Sequence, residues 1–572
     1  MSQKIAIVGI GPRGLSALES LSRALSQSVS PVTTTLLLFD DSGYPGCGPN
    51  YAPDQPMTNV LNIPCREVPL SARAAITGQV NISGFQSYND WQSEHELINN
   101  QGQDVYPSRA SIGEYLQARF RSWIVGWQSA GSVEIITTSI IDIEHCASSL
   151  VLVDNVNRRY EDITHALLTI GHQPVERDKS LEHWAEISDR SDVHTFFEHP
   201  YPAQTLIDSE EIGSNDTVAI RGLGLSMIDV VKALTEGRGG KFTPRPGPKF
   251  QFDYTASSSE PAMLLPYSLD GLPMAPKPAN ELVDSFFKLS EIDRETLLAC
   301  LTTVSQYKNG DQLRNDIIKV VAEISAGVFS RLDERQLIKG LSPAVLTSTI
   351  THWLDEDNSD QSGIVSQQKD TVESMRDFLQ MSLDQAPISI DYCVGQVWRH
   401  CQPMFYTELA HIAGETALLA AFIELDGRMK RYAFGPPVDS VARLLSLCDA
   451  GVLRFAIADD PIIKVHDKGW TLQEDNAQIV ASVMVNSVLA SPALLSVSTP
   501  LVKSLIRKRL LRPISDKLGA ITDKSGLTVS AQDSRSNQHI ALVGRLAIGS
   551  IVEADALLEC FGPELDVWAR AL

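Results

Sequence analysis

Residues Lys4 to Val8 form a short apolar run that breaks into the glycine-rich turn GIGPRG. From about Leu15 to Leu25 apolar residues recur at helical spacing, and a β-branched, leucine-rich run from Val32 to Phe39 ends in Asp40-Asp41. Short apolar runs bounded by turn residues predict buried strands, and a 3.6-residue period predicts a helix. The chain therefore opens on a predicted strand, turn, helix and strand, one βαβ unit. The pattern starts again at Thr217 to Leu234, with the run VAIR, the turn GLGLS and the helical segment MIDVVKAL.

Between these two starts the pattern is mixed. Ser42 to Leu70 is rich in Gly, Pro and Asn and predicts a long loop, which in a compact domain usually serves function. A helix is predicted from Gly113 to Trp127, strand-like runs from Val133 to Ile143 and from Ser149 to Val153, and a strand entering a turn from His165 to Gly171. From Glu281 to Leu383 strand signals fade and helical spacing dominates, as in LVDSFFKL, IIKVVAEI and MRDFLQMSL. Asp355 to Gly363 is acidic and reads as an exposed loop. Ala386 to Asp460 alternates helix and turn. The last hundred or so residues return to α/β patterning, with a strand at Ile540 to Val543 and a helix from Asp555 to Leu572.

The predicted architecture is α/β, two Rossmann-like dinucleotide-binding domains with a largely helical insert. Residues 1–190, completed by 480–572, form the first domain and 191–280 the second. Residues 281–385 are the helical insert, and 386–479 a mixed region that contributes to a substrate pocket. A chain of 572 residues is too long for a single core, which agrees with this division.

Charge narrows the partners. A net charge of −22 repels nucleic-acid backbones and anionic membranes, so neither is expected to bind. No run of about eighteen apolar residues exists to span a bilayer. The N-terminal apolar run is short and broken by glycines, unlike a signal peptide. The eight cysteines show no CxxC pair and no zinc spacing with His, so a metal site is not expected. Reduced, mostly buried thiols in the cytoplasm are the expectation.

The chemistry lies in the two turns. In Gly9-x-Gly11-x-x-Gly14 the first glycine makes the tight turn, the second admits a pyrophosphate, and the third lets helix and strand pack closely. Free N–H groups of the helix start meet the phosphates. Asp40, ending the next strand, is placed to accept from a ribose diol. In the second turn Gly222, Gly224 and Ser226 repeat the pattern, but Met227 stands where the third glycine would be. The basic run with Arg238, Lys241 and Arg245 is placed to take a 2′-phosphate, which favours NADPH and leaves NADH open, or else it is a solvated loop. His172 is a candidate flavin or nicotinamide contact beside the more ordinary role of a turn histidine. His400-Cys401 is a candidate pocket pair beside the more ordinary role of core or surface residues.

The segment IAIVGIGPRGLSALESL resembles two-dinucleotide flavoproteins, especially the bacterial family called FAD/NAD(P)-binding proteins, which is similar to the flavin-dependent N-hydroxylating monooxygenases. GCGPNYAPDQPMTNVLNIP, YPSRASIGEYL, LLTIGHQP, GLGLSMIDVV, RYAFGPPVDSVARLL and GRLAIGSIVEADAL resemble the family too. The stretch from Glu281 to Leu383 does not. The resemblance implies FAD contacts at Gly9, Gly11, Gly14 and Asp40, Asn62 beside the flavin, and Arg109 near the FAD phosphates or ring. It implies nicotinamide-cofactor contacts at Gly222, Gly224 and Ser226. Gly171 and His172 match in part the turn where a strand crosses between domains, and Asp555 is expected near the ribitol. The implied activity is an NAD(P)H-dependent FAD monooxygenase that passes one oxygen of dioxygen, through a flavin C4a-hydroperoxide, to a small molecule such as one bearing an amino group. Two alternatives stay open: a flavin dehydrogenase or reductase without oxygen insertion, and a non-catalytic flavin-binding regulatory protein.

Overall fold

The computed structural model describes the chain except residues 1, 29–32, 96–102, 129–131, 147–148, 248, 304–306, 308, 357–361, 366–369, 413–416 and 531–535. The expected acidic loop from Asp355 to Gly363 lies largely outside the described residues.

The first unit is built on a six-stranded sheet ordered Leu527–Val529, Ser536–Leu542, His165–Leu168, Ser2–Val8, Thr33–Phe39, Ser132–Ile136. Its pairs are parallel except the outermost, Leu527–Val529 with Ser536–Leu542. In the register, Val8 lies opposite both Phe39 and Leu168, and Leu168 lies opposite Leu542. The strands therefore end level, and the residues after them line one edge. Helices Pro12–Gln27 and Arg109–Gln128 bury Leu15, Leu18, Trp123 and their neighbours on one face. The antiparallel sheet of Ile140–Cys146, Ser149–Asp154 and Arg159–Ile163 covers the other.

The second unit has a four-stranded parallel sheet ordered Met263–Tyr267, Thr217–Arg221, Val483–Asn486, Thr195–Phe197. The strand Val483–Asn486 was expected in the stretch that completes the first unit; it pairs instead with Thr217–Arg221. It is an unbroken apolar run, VMVN, buried throughout, and periodicity alone does not assign such a run to one parallel sheet or the other. Helices Leu225–Leu234 and Val438–Asp449 pack on this sheet, and a three-stranded antiparallel sheet spanning 462–481 sets Trp470 and Leu472 against Ala219 and Met484.

The helical unit extends beyond the expected 281–385. Helices Ile390–Glu408 and Ala420–Ala433 share its core, where Trp398, Phe405 and Phe422 meet as a trio of rings packed among Leu297, Val321 and Ile350. Two crossings tie the first unit to the second. Glu176 N–H donates to the Ser496 carbonyl (2.7 Å) and Ser498 N–H to the Pro174 carbonyl (2.9 Å), so the outgoing and returning chains pair antiparallel. Among the described residues no helix is long and apolar enough to cross a membrane.

Candidate active site: two glycine turns and the junction between them

The strand Ser2–Val8 hands the chain to Gly9, whose backbone has φ +93°. A Cβ there would stand 2.6 Å from the Thr169 carbonyl oxygen, and one at Gly14 2.5 Å from that of Gly9. Both positions are closed to a side chain. Gly11 differs: the nearest atom to its Cβ position is Gly48 Cα at 3.9 Å. Gly11 also caps helix Pro12–Gln27 without a side-chain bond. The helix start, with its partial positive charge, thus faces open space that a phosphate can fill. The residues fit a dinucleotide pyrophosphate.

The second turn follows the same plan. Gly222 has φ +113°, and a Cβ would meet Ser487 Oγ at 2.7 Å. Ser487, directly after Val483–Asn486, bonds the Arg221 carbonyl through both its N–H (2.9 Å) and its hydroxyl (2.7 Å). Thr169, directly after His165–Leu168, bonds the first turn alike, through N–H to the Val8 carbonyl (2.9 Å) and hydroxyl to the Gly9 carbonyl (2.5 Å). Gly224 caps helix Leu225–Leu234 and has nothing within 4 Å of its Cβ position. Each turn is therefore closed by the end of a neighbouring parallel strand and open at its second glycine.

Several expected contacts are already engaged within the protein. Asp40 is buried; one carboxylate oxygen accepts from Ile10 N–H (3.0 Å) and the other from Ser42 N–H (2.9 Å) and hydroxyl (2.5 Å). It pins the first turn, and a ribose diol would share it. Arg109 pairs not with the first turn but with Asp229 on the second unit's helix (2.9 Å), and its guanidinium lies 5.2 Å from the Tyr201 ring centroid. Tyr201 hydroxyl donates to Asp229 (2.6 Å) and lies 3.4 Å from Ser226 Oγ. Arg109 thus forms a bridge between the two units. Arg238 gives five hydrogen bonds to the carbonyls of Leu206, Ser209, Ile212 and Ser259, so it braces its loop rather than presenting itself to a phosphate. Arg245 pairs with Asp253 (2.7 Å).

Other residues converge beyond the first turn. Arg13 Nη2 donates to the Ala554 carbonyl (3.0 Å), and Asp555 pairs with Arg545. Gly171 and His172 follow the Thr169 crossing, and Gly171 has open space around its Cβ position. His172 is exposed. The surrounding protein mass, and then the Arg545, Arg13 and Arg109 charges against Asp555, hold it below the usual histidine range, so the ring is neutral at pH 7. Asn62 Nδ2 donates to the Phe434 carbonyl (3.1 Å), and the Asn62 carbonyl accepts from Lys277 Nζ (2.6 Å). Burial and then the nearby Arg399 charge push the Lys277 ammonium down to about 7. His400 lies 3.2 Å from Asp284, which also pairs with Arg399, while Cys401 is wholly buried in the helical core. Sequence reasoning missed Arg13, Tyr201, Asp229, Lys277, Lys430, Arg545 and Glu553. Arg13, Asp229, Arg545 and Glu553 stand inside motifs quoted above, but Arg13, Asp229 and Glu553 each have a partner more than a hundred residues away.

A family model described as FAD-NAD(P)-binding matches residues 6–173. The match covers less than a third of the chain and lies within the first unit. The matched stretch contains Gly9, Gly11, Gly14, Asp40, Asn62, Arg109 and Thr169, and the resemblance to FAD/NAD(P)-binding proteins is borne out there. A nitrosuccinic acid synthase of Aspergillus oryzae is 27% identical over 45% of this chain and 39% of its own. A nitrosuccinate-forming L-aspartate N-monooxygenase of Streptomyces davaonensis is 25% identical over 48% of this chain and 45% of its own, and that of Streptomyces cremeus 27% over 48% and 43%. The chain thus matches less than half the length of these curated relatives. A solved lysine monooxygenase of Nocardia farcinica aligns over 100% of this chain and 99% of its own at 10% identity and TM-score 0.38, too loose a superposition to carry an argument.

Proposed function

We propose that this protein is an FAD-dependent, NAD(P)H-using monooxygenase that oxygenates the amino group of a small amino acid. The observation that carries it is the pair of glycine turns built to one plan, each open at its second glycine, with Arg109 of the first unit pairing Asp229 beside the second. Two dinucleotides bound at these turns would meet at one junction, beyond the carboxyl ends of both sheets. FAD there supplies the redox and oxygen chemistry.

The chain's own residues supply position and charge. Gly9, Gly11, Gly14 and the helix start would hold the FAD pyrophosphate, Asp40 would take the ribose alongside its turn contacts, and Asn62, Gly171, His172 and Asp555 would border the ring and ribitol. Gly222, Gly224 and Ser226 would hold the nicotinamide dinucleotide. His172, with its protonated form disfavoured, would offer a neutral ring nitrogen for hydrogen bonding there. Beside Asn62, the cations Lys277, Arg66 and Arg399 crowd against Glu67, Asp104 and Asp284. Such a site suits a substrate that carries carboxylate and amino groups together, in keeping with the L-aspartate named for the relatives. Eight free cysteines suit a cytoplasmic setting.

The test is direct. FAD-loaded protein, given NADPH and a panel of amino acids, is followed for oxygen uptake, NADPH oxidation and N-oxygenated product by mass spectrometry. Substrate-dependent oxygen uptake with product supports the reading. NADPH oxidation that needs an artificial acceptor and makes no product indicates a reductase, and bound FAD that NADPH never reduces indicates a regulatory protein.

A further inference from the structure

The segment RYAFGPPVDSVARLL has no role in a dinucleotide turn, yet the structure makes it the meeting point of the units. At the end of helix Ala420–Ala433, Lys430 pairs with Glu553. The Phe434 carbonyl takes the Asn62 amide. Gly435 packs so tightly that a Cβ would run into the Ala275 carbonyl, and Lys277 N–H donates to the Pro436 carbonyl (3.2 Å). Helix Val438–Asp449 then lies on the second unit.

Glu553 is the centre of this junction. Its Oε1 accepts from Ala554 N–H (2.8 Å) and Asp555 N–H (2.7 Å), which shapes the turn that Arg13 holds through the Ala554 carbonyl. Its Oε2 faces Lys430. The Glu553 side chain is 1% exposed, the Lys430 side chain 30%. The ammonium is anchored by Glu553, lies 5.1 Å from the centroid of the Phe434 ring whose own carbonyl takes the Asn62 amide, and has the Asp555 charge nearby. Burial works against its charge, but Glu553 and Asp555 more than offset this and keep it protonated. The other charged groups around the pair are Asp426, one turn earlier and held by Trp398, Gln402 and Tyr406, and, on the Glu553 side, Glu559 and Arg545.

We propose that Lys430, anchored by Glu553, is the cation that sets the reduction potential of FAD bound between Asn62 and Asp555. This rests on FAD occupying the first turn. A flavin ring gains negative charge on reduction, and a fixed cation in a partly desolvated wall favours the reduced form. Glu553 both aims that cation and shields it. The two partners therefore act in opposite directions: removing the ammonium disfavours reduction, and neutralising the carboxylate favours it.

FAD-loaded wild type, Lys430→Met, Lys430→Arg and Glu553→Gln are compared by flavin content and by equilibration with redox dyes. Lys430→Met is expected to shift the oxidised-to-reduced equilibrium at least tenfold toward oxidised, about 30 mV for a two-electron couple. Lys430→Arg stays within a few millivolts of wild type by this reckoning, and Glu553→Gln moves the other way. A fully loaded Lys430→Met with wild-type potential overturns the proposal. Should that variant not fold, an unchanged potential in loaded Glu553→Gln overturns it equally. Wild type that takes up no FAD overturns the first-turn reading itself, a result read before any potential is measured.

Discussion

At the scale of single residues, the three glycines of the first turn separate folding from binding. Gly14→Ala pushes a methyl into the Gly9 carbonyl and should cost on the order of 2 kcal/mol or more of stability as helix and strand part. Gly11→Ala meets only Gly48, so apo stability should change by less than about 0.5 kcal/mol while FAD affinity falls at least tenfold. Denaturant unfolding and FAD titration of the two variants check this, and equal stability losses would refute it. Lys277 makes a pH-dependent prediction. Its folded pKa is depressed to about 7, so between there and the ordinary lysine value the unfolded chain holds a proton the native one lacks. Stability should rise with pH over that window, and Lys277→Met should remove the rise. Thermal melts from pH 6.5 to 9.5 measure the difference. Gly9, Gly11, Gly14 and Asp40 were legible in the sequence because one short motif contains its own geometry. The pairing of Arg109 with Asp229 was not legible, because Asp229 lies in another motif and nothing in spacing announces an ion pair across units.

At the scale of elements, helix Arg109–Gln128 and helix Leu225–Leu234 are joined by Arg109, Asp229 and Tyr201. Asp229→Ala leaves a largely buried guanidinium without its partner. It should raise the KM for NADPH severalfold with FAD content unchanged, and loss of FAD with no change in KM would place Arg109 at the first turn after all. A second buried element contact is Glu19, which takes Arg73 (2.9 Å) and Arg119 (2.7 Å) with all three side chains at most 6% exposed. Glu19→Gln should destabilise by about 3–5 kcal/mol, because two guanidinium groups lose their charge partner together. Calorimetry of the first unfolding transition tests this. The βαβ starts were legible because period and punctuation agree. The strand Val483–Asn486 was not, since a wholly buried strand carries no mark of which sheet it joins.

At the scale of the whole molecule, the helical unit is an insertion between strands of the second sheet. Met263–Tyr267 precedes it and Val483–Asn486 follows, and both flank Thr217–Arg221. Its presence was legible from helical spacing, but its reach to Ala433 was not, because the boundary lies in packing among Trp398, Phe405 and Phe422 rather than in composition. The first sheet has a similar long-range closure, with Ser536–Leu542 beside His165–Leu168 and helix Glu564–Ala571 against helix Pro12–Gln27 through Arg23 and Asp566 (2.9 Å). On the ribosome, this order matters. The early strands emerge first, yet their neighbour is synthesised only after both other units have been made. At translation speeds of about 5–20 residues per second the nascent first sheet waits tens of seconds with an unpaired edge. A chaperone that covers strand edges would find this chain a client for that interval, and slowing translation would lengthen it.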